Sequence, residues 1–553
     1  PNDPSLRGKR VNTGNIINDG PLEADFGLTF KHHEIDSINP QESGLAWGSQ
    51  SIKYSASLIQ EVNLSHPFTS ASASGIFGMI GNETAQTRYK NTNHIASLYI
   101  NSRQLSKLNW SNIGPKSKRF DIEAGLLNKG LNEFKITNEA ESSNSEPVFD
   151  FLDISYQRKL IYDEPFEFYS SIQSSDITYI IDGKNLIVWN ISNEANPINR
   201  PIISLEKTYF RVSIPPDTLQ RFFIFKTEDI SKIEELNMIG DKKWDILRSK
   251  NNQAKHIIIG PEDFRGASNA LVNHRPQTVY SSLENIYDEF SGGNNDPIAI
   301  RYFLNWALNN WNTPPSTVLF MGDADYDYRN ITGQSKMIIP TIQVGKLNTY
   351  ATDDRLVAFN GTIPEMASGR FPARSIAEVK NFCDKIIEFE NNMASGLWKQ
   401  KVTLVADDPS RPEKESFELS IGKSHTSNSE QLSNLIPDFM EIKKLYLVDF
   451  EGVNDGSPFG ITKPSATQQL FDIINSGTSI INYIGHGNST QWAQEKLLLL
   501  SDERNDIESM KTKMKLPLWI AGTCNWGHFD NITKESFAEE LIRTPMDAAS
   551  AII

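Results

Sequence analysis

From residue 256 to the end of the chain one pattern repeats: a short apolar run with almost no polar interruption, an amphipathic stretch at helical spacing, then another apolar run. HIIIG (256–260), STVLFMGD (316–323), KVTLVADD (401–408), KKLYLVDF (443–450), TSIINYIG (478–485) and LPLWIAGT (516–523) read as strands. DPIAIRYFLNWALNNW (296–311), ARSIAEVKNFCDKIIEFENNM (373–393), SEQLSNLI (429–436) and SATQQLFDIINSG (465–477) read as helices, the first with Asp at its cap and Pro in its first turn. Strands without polar alternation need cover on both faces, and helices between them supply it. The pattern predicts a largely parallel α/β sheet, in which chemistry gathers at the carboxyl ends of the strands.

The first part of the chain has a different grammar. Runs such as IKYSASLIQEV, HIASLYIN, RFDIEAG and FDFLDISYQRKL alternate with period two and are punctuated by Gly, Asn and Ser, which predicts an antiparallel sandwich of jelly-roll type with NEAESSNSEP as a polar hairpin tip. DITYIIDGKNLIVWNIS and YFRVSIPP continue the β-rich stretch, with Asp182-Gly183 as a hairpin signal; they form either a separate small module or a continuation. The expected division is a β-sandwich over 1–160, a β-rich module over 161–250, and two α/β subdomains over 251–395 and 396–553. A chain of 553 residues is too long for one core in any case.

Bulk properties remove several classes of function. The net charge of −15 argues against a nucleic-acid partner, whose phosphates demand a basic face. Two cysteines in the whole chain leave no disulfide framework and, with nine scattered histidines, no zinc-type ligand spacing, so no metal site is expected. No stretch approaches the roughly 20 apolar residues of a membrane span. The start PNDPSLRGKR, without Met, reads as a processed or trimmed end, and the final AASAII reads as the start of a strand that continues.

Two strand ends carry the candidate chemistry. His486 follows TSIINYIG and Cys524 follows LPLWIAGT, so on neighbouring parallel strands both side chains reach one sheet edge. A thiol with an ordinary pKa of about 8.5 needs an imidazole to supply thiolate at neutral pH, and the same imidazole can protonate a leaving amine. Gly485 and Gly487 flank the histidine, opening backbone conformations closed to other residues. The N–H groups of Gly487 and Cys524 are the candidate oxyanion hole. The crossover between His486 and Cys524 has room for a helix at AQEKLLLL (493–500). His528 is a weaker candidate for the base. Cys383, among Val379, Phe382, Ile386 and Ile387 at helical spacing, reads as core. DADYDYRN (323–330) lacks the Gly and Glu of a calcium loop and reads as a strand-edge closure with buried tyrosines.

NYIGHGNSTQWAQEKLL and WIAGTCNWGHFDN…ESFAEELI resemble the histidine and cysteine segments of the gingipain family of cysteine peptidases. The supporting segments VLFMGDADYDYRN, YATDDRL, ASGRFPARSIAEVKNF and KVTLVADD stand in the expected order. The resemblance covers roughly 254–553 and is strongest to members that act as C-terminal signal peptidases or sortases of the type IX secretion system. It implies a caspase-like α/β catalytic region behind the β-rich domains, with His486 as base and Cys524 as nucleophile. It also implies an acidic third member, for which Glu430 is the candidate and Asp407 and Asp408 are rivals. Trp492 and Trp526 are candidate walls of the substrate pocket. No cofactor is required, and structural calcium is allowed by family analogy.

By the same resemblance the substrates are secreted cargo proteins, which lose a C-terminal targeting domain at the outer face of the bacterial outer membrane. An outer-membrane β-barrel would be the partner, and an anionic lipopolysaccharide or other glycolipid the acceptor where an amine replaces water. The rival reading is a catalytically silent surface subunit that binds an outer-membrane partner through its β-domains.

Overall fold

The computed structural model describes residues 11–15, 22–84, 92–170, 175–204, 207–231, 246–345, 349–409, 416–454, 456 and 460–553. Two compact units emerge: one from the described residues up to 231 apart from 42–45, the other from residue 246 onward together with 42–45.

Among the described residues the first unit holds two large apolar cores on one continuous sheet. Nine strands are hydrogen-bonded side by side, with Phe26–Glu34 and Val148–Lys159 near the middle. Against one half packs a four-stranded sheet of Ser57–Leu64, Gly130–Asn138, Asn93–Ile100 and Arg103–Ser111, enclosing Val62, Phe77, Leu98, Phe134, Phe149 and Leu152. The strict alternation of Ser57–Leu64, every second residue buried, is the period-two pattern doing what the pleat requires. Against the other half packs the sheet of Ser175–Ile181, Thr208–Ile214, Ile202–Ser204 and Leu22–Ala24, around Phe168, Tyr179, Phe210 and Phe222. Leu22–Ala24 pairs with Ile177–Tyr179, so hydrogen bonds cross the expected limit at residue 160. NEAESSNSEP is not a hairpin tip, because the strands it joins lie in opposite sheets of the sandwich. Asn138 secures this crossing by donating to the carbonyls of Ile52 and Ser145. Asp182-Gly183 likewise joins two sheets rather than turning a hairpin.

The second unit contains two all-parallel sheets. The first, in spatial order, is Thr278–Ser282, His256–Gly260, Thr317–Met321 and Ala367–Phe371. The second is Glu441–Tyr446, Lys401–Ala406, Ile480–Ile484, Leu518–Gly522 and Ala551–Ile552. Each starts in the interior, steps to one side and then crosses back, so each has a switch point between its first and third strands, where open α/β sheets leave a crevice. Pro297–Asn310, Ile376–Asn392 and Pro464–Ser476 are helices that the spacing predicts, whereas Arg265–His274, Leu283–Ser291, Asp354–Val357 and Phe537–Arg543 lie outside the expected set. Asp296 accepts from the Ile298 N–H ahead of Pro297–Asn310, and Ser375 from the Glu378 N–H ahead of Ile376–Asn392. The helix expected over 429–436 is longer than expected and covers Ser416–Ser433.

AQEKLLLL is not a helix. Gly487–Asn488, Gln491–Trp492 and Leu498–Leu499 form a small antiparallel meander, with Ala493 and Lys496 at positive φ in its turn. The apolar run is used instead to send Trp492, Leu497 and Leu498 into the core of the second sheet. In DADYDYRN the expected burial is reversed: Asp323, Asp325 and Asp327 are buried and the tyrosines are half-buried. No helix among the described residues is long and apolar enough to cross a membrane.

Candidate active site

The strand Ile480–Ile484 lies between Lys401–Ala406 and Leu518–Gly522, and all three run parallel. Ile484 pairs with Gly522, so His486 and Cys524, each two residues further on, leave the sheet at the same level. The ladder continues past the strand ends: the Asp407 N–H donates to the Ile484 carbonyl at 3.0 Å and the Gly485 N–H to the Gly522 carbonyl at 3.3 Å. Asp407, His486 and Cys524 thus emerge from three adjacent strands.

The two glycines beside the histidine are required by close approach. Neither has a positive φ, which corrects the expectation of unusual backbone conformations. A Cβ on Gly485 would lie 2.4 Å from the Asp407 Cβ and 2.4 Å from the Tyr483 hydroxyl oxygen. A Cβ on Gly487 would lie 2.5 Å from the Thr523 Oγ1 and 2.9 Å from the Gln491 carbonyl oxygen. The histidine turn therefore rests directly against the residue that precedes the cysteine. The left-handed conformation falls on Asn525 instead, with φ 53°, in a residue type that tolerates it. That reversal ends the strand direction just beyond the thiol.

The histidine turn is held from three sides. The His486 N–H donates to Asp407 Oδ2 at 2.9 Å, and the His486 carbonyl accepts the Tyr483 hydroxyl at 2.6 Å and the Ala493 N–H at 2.9 Å. This last bond makes Gly487 and Trp492 a non-hydrogen-bonded pair, turning the Gly487 N–H away from Trp492. Burial raises the Asp407 carboxyl to about 6, opposed by the N–H groups of His486 and Asp408. Asp408, also buried, pairs with buried Lys463, which donates as well to the Leu447 carbonyl.

The two cysteines differ as chemistry would require. Cys524 is exposed. Cys383 is fully buried, and that burial pushes its thiol up to about 12.

Of the three carboxylates offered by the sequence, Asp407 reaches the histidine. Glu430 instead bonds to Lys444 at 2.8 and 2.7 Å and to Tyr446 at 2.8 Å; these partners, Lys444 first, hold its carboxyl below the usual value. Helical phase explains the difference. The helix Ser416–Ser433 buries His425 and Ser429, four apart, whereas Glu430, five beyond His425, is rotated about 140° away. His425 is the residue that sequence reasoning missed. Its ring meets that of His486 edge to face, with centroids 5.1 Å apart at 84°. A ring nitrogen of each and a carboxylate oxygen of Asp407 lie within 4.8 Å of one another.

Trp492 does not wall a pocket. It is fully buried, stacked on Tyr483 at 4.2 Å and 10°. Trp526 is also buried, 4.9 Å from Trp492, but it borders a cavity of about 260 Å³ lined by Thr523, Asn525, His528, Phe529 and Asp530. His528 in that cavity bonds to Asp530 at 3.0 Å, which raises its pKa. The cavity touches both neighbours of Cys524, Thr523 and Asn525.

Residues 249–553 match the family model for peptidase family C25. Gingipain R2 of Porphyromonas gingivalis is 23% identical over 185 residues, 33% of this chain and 22% of the gingipain. Lys-gingipain W83 of the same organism is 24% identical over 308 residues, 55% of this chain and 15% of the relative. The crystal structure of dimeric latent PorU from P. gingivalis matches with a TM-score of 0.58 at 19% identity, over 70% of this chain and 40% of that one. This likeness shows the fold: β-rich domains ahead of a caspase-like α/β region. The chain spans about a fifth or less of the length of these gingipains and two fifths of the PorU chain.

Proposed function

Since the chain belongs to peptidase family C25, we propose that it is a cysteine endopeptidase working through a thioester. The observation that carries this is the shared register of His486 and Cys524 on adjacent parallel strands, with Gly487 packed on Thr523 beside the exposed thiol.

Cys524 gives its proton to His486, and its sulfur attacks the carbonyl carbon of the scissile peptide bond. The N–H groups of Gly487 and Cys524 stabilise the oxyanion. As the C–N bond breaks, His486 returns the proton to the departing amine, leaving a Cys524 thioester. Water, deprotonated by His486, then releases a free carboxylate and restores the thiol. An amine in place of water would yield a new amide, making the same site a sortase. Asp407, rather than Glu430, is the carboxylate that sets the histidine turn.

The substrates in this reading are secreted proteins of the type IX system, which lose their C-terminal targeting domain. The site of action is the outer face of the outer membrane, beside a β-barrel partner, with a surface glycolipid as amine acceptor. The sequence resemblance to the signal-peptidase members supports this assignment.

A peptidyl acyloxymethyl ketone probe tests the chemistry: wild type is labelled and Cys524→Ala is not. An unlabelled wild type, or equal labelling of the variant, defeats the enzyme reading in favour of a silent binding subunit. Mass spectrometry of cargo incubated with the protein tests the substrate, with a single cut ahead of the C-terminal domain as the expected product.

A further inference from the structure

We propose that Asp407, His425 and His486 form a binding site for a divalent transition-metal ion of the zinc type, and that the bound ion holds the catalytic pair inactive. The regulatory half rests on the reading of His486 as the base; the binding half does not.

The three groups come from different elements and converge. Asp407 ends the strand Lys401–Ala406, His425 lies within the helix Ser416–Ser433, and His486 follows Ile480–Ile484. Their ligand atoms are mutually within 4.8 Å. A zinc ion bound at about 2.0–2.1 Å to nitrogen and oxygen in tetrahedral geometry sets neighbouring ligands about 3.3 Å apart. Side-chain rotations of about 1.5 Å or less close that gap, and the edge-to-face contact shows that the two imidazoles already meet directly.

The donor set suits this class of ion. Two imidazoles and one carboxylate favour zinc, cobalt or nickel over calcium or magnesium, which take oxygen ligands. Each Asp407 oxygen already accepts one backbone N–H, from His486 and from Asp408, yet keeps a second lone pair for a metal. Asp407 and His425 are buried while His486 is only partly so, so an ion enters from the side on which the histidine faces solvent. Three protein ligands with an open fourth position make a site that is reversible rather than structural. A metal on the His486 nitrogen occupies the lone pair that would take the Cys524 proton, and chelation restores it.

Zinc is titrated calorimetrically into the full chain as wild type, Cys524→Ala and His425→Gln, with His425→Asn as a second variant should Gln impair folding. Wild type and Cys524→Ala are expected to bind one ion per chain with similar affinity, and the His425 variant to bind about tenfold or more weaker. Absence of a saturable site in wild type overturns the proposal, as does a site lost in Cys524→Ala and kept in the His425 variant, which would place the ion on the thiol. Micromolar zinc should slow probe labelling of wild type, reversibly with a chelator, and leave labelling of His425→Gln unchanged. Binding without any change in labelling overturns the regulatory half. If wild type is never labelled, the peptidase reading falls while the calorimetry still decides the metal site.

Discussion

The two parallel sheets of the second unit share the order of their first four strands, yet at the carboxyl ends one ties its polar side chains to its own loops and the other presents them. In the first sheet the Arg370 guanidinium, on the strand Ala367–Phe371, donates to the carbonyls of Gly322 and Ile339 and pairs with half-buried Asp353. The Tyr280 hydroxyl donates to the Pro261 carbonyl at the neighbouring strand end. The acidic loop that follows satisfies itself. Asp327 accepts the Ile331 and Thr332 N–H groups and the Thr332 hydroxyl. Asp325 accepts from Ser335, Lys336 and Asp327. In the second sheet the equivalent edge presents a half-buried histidine and an exposed thiol. Parallel topology supplies an edge; whether the edge is a site depends on whether its polar groups are bound inward or presented.

That distinction predicts opposite failures. His486→Gln should lower probe labelling by about 10³-fold or more, because the thiol loses its base, with a melting temperature close to that of wild type. Asp327→Ala should leave labelling per folded molecule near wild type but cost about 1–3 kcal/mol of stability in urea unfolding, since it removes a buried carboxylate that accepts two backbone N–H groups and a hydroxyl. A stable, inactive Asp327→Ala protein would show that the first edge takes part in the chemistry and would break the contrast.

Glycines sharpen it further. Gly487→Ala places a methyl 2.5 Å from Thr523 Oγ1 and forces the histidine and cysteine turns apart. A displacement of this kind should reduce labelling by about 10²-fold and destabilise by about 1–3 kcal/mol. Gly369, in a strand of the first sheet, has nothing within 4 Å of its would-be Cβ and an ordinary φ. Gly369→Ala should change stability by about 0.5 kcal/mol or less and labelling not at all. Equal damage from both substitutions would mean that the close approach at Gly487 has no special role.

The open edge was legible in the sequence because apolar strands announce their own ends: TSIINYIG and LPLWIAGT stop where the structure presents His486 and Cys524. What surrounds them was not. His425 lies in a polar stretch whose helical phase depends on a start at Ser416, 13 residues ahead of the predicted one, and phase decides between His425 and Glu430. AQEKLLLL has helical propensity, but tertiary burial of Trp492 and Leu498 overrides it. Trp492, read as a pocket wall from its place after the histidine, is drawn inward by the same burial. The aspartates of DADYDYRN are buried because backbone donors meet them there, which composition does not reveal.

The one effect expected to appear only as pH changes concerns how the first half of this unit supports the second. Lys385, on the helix Ile376–Asn392 beside the first sheet, is buried and donates to the carbonyls of Ile542 and Thr544, at the end of the helix Phe537–Arg543 that follows the cysteine loop. Burial lowers its pKa to about 7, with Asp547 opposing. Between about 7 and the unfolded value near 10.5, the folded state binds fewer protons than the unfolded one, so this group's contribution to stability rises with pH across that window. Below pH 7 the full cost of burying its charge is present. The stability of wild type relative to Lys385→Met should therefore increase by about 1–2 kcal/mol from pH 7 to pH 9 in parallel denaturant titrations. Labelling of Cys524 in the folded variant should follow the wild-type pH profile, because a support carries load without touching the reaction. A flat stability difference would mean that Lys385 keeps its ordinary pKa. A displaced labelling profile would mean that the first half tunes the catalytic edge rather than only holding it up.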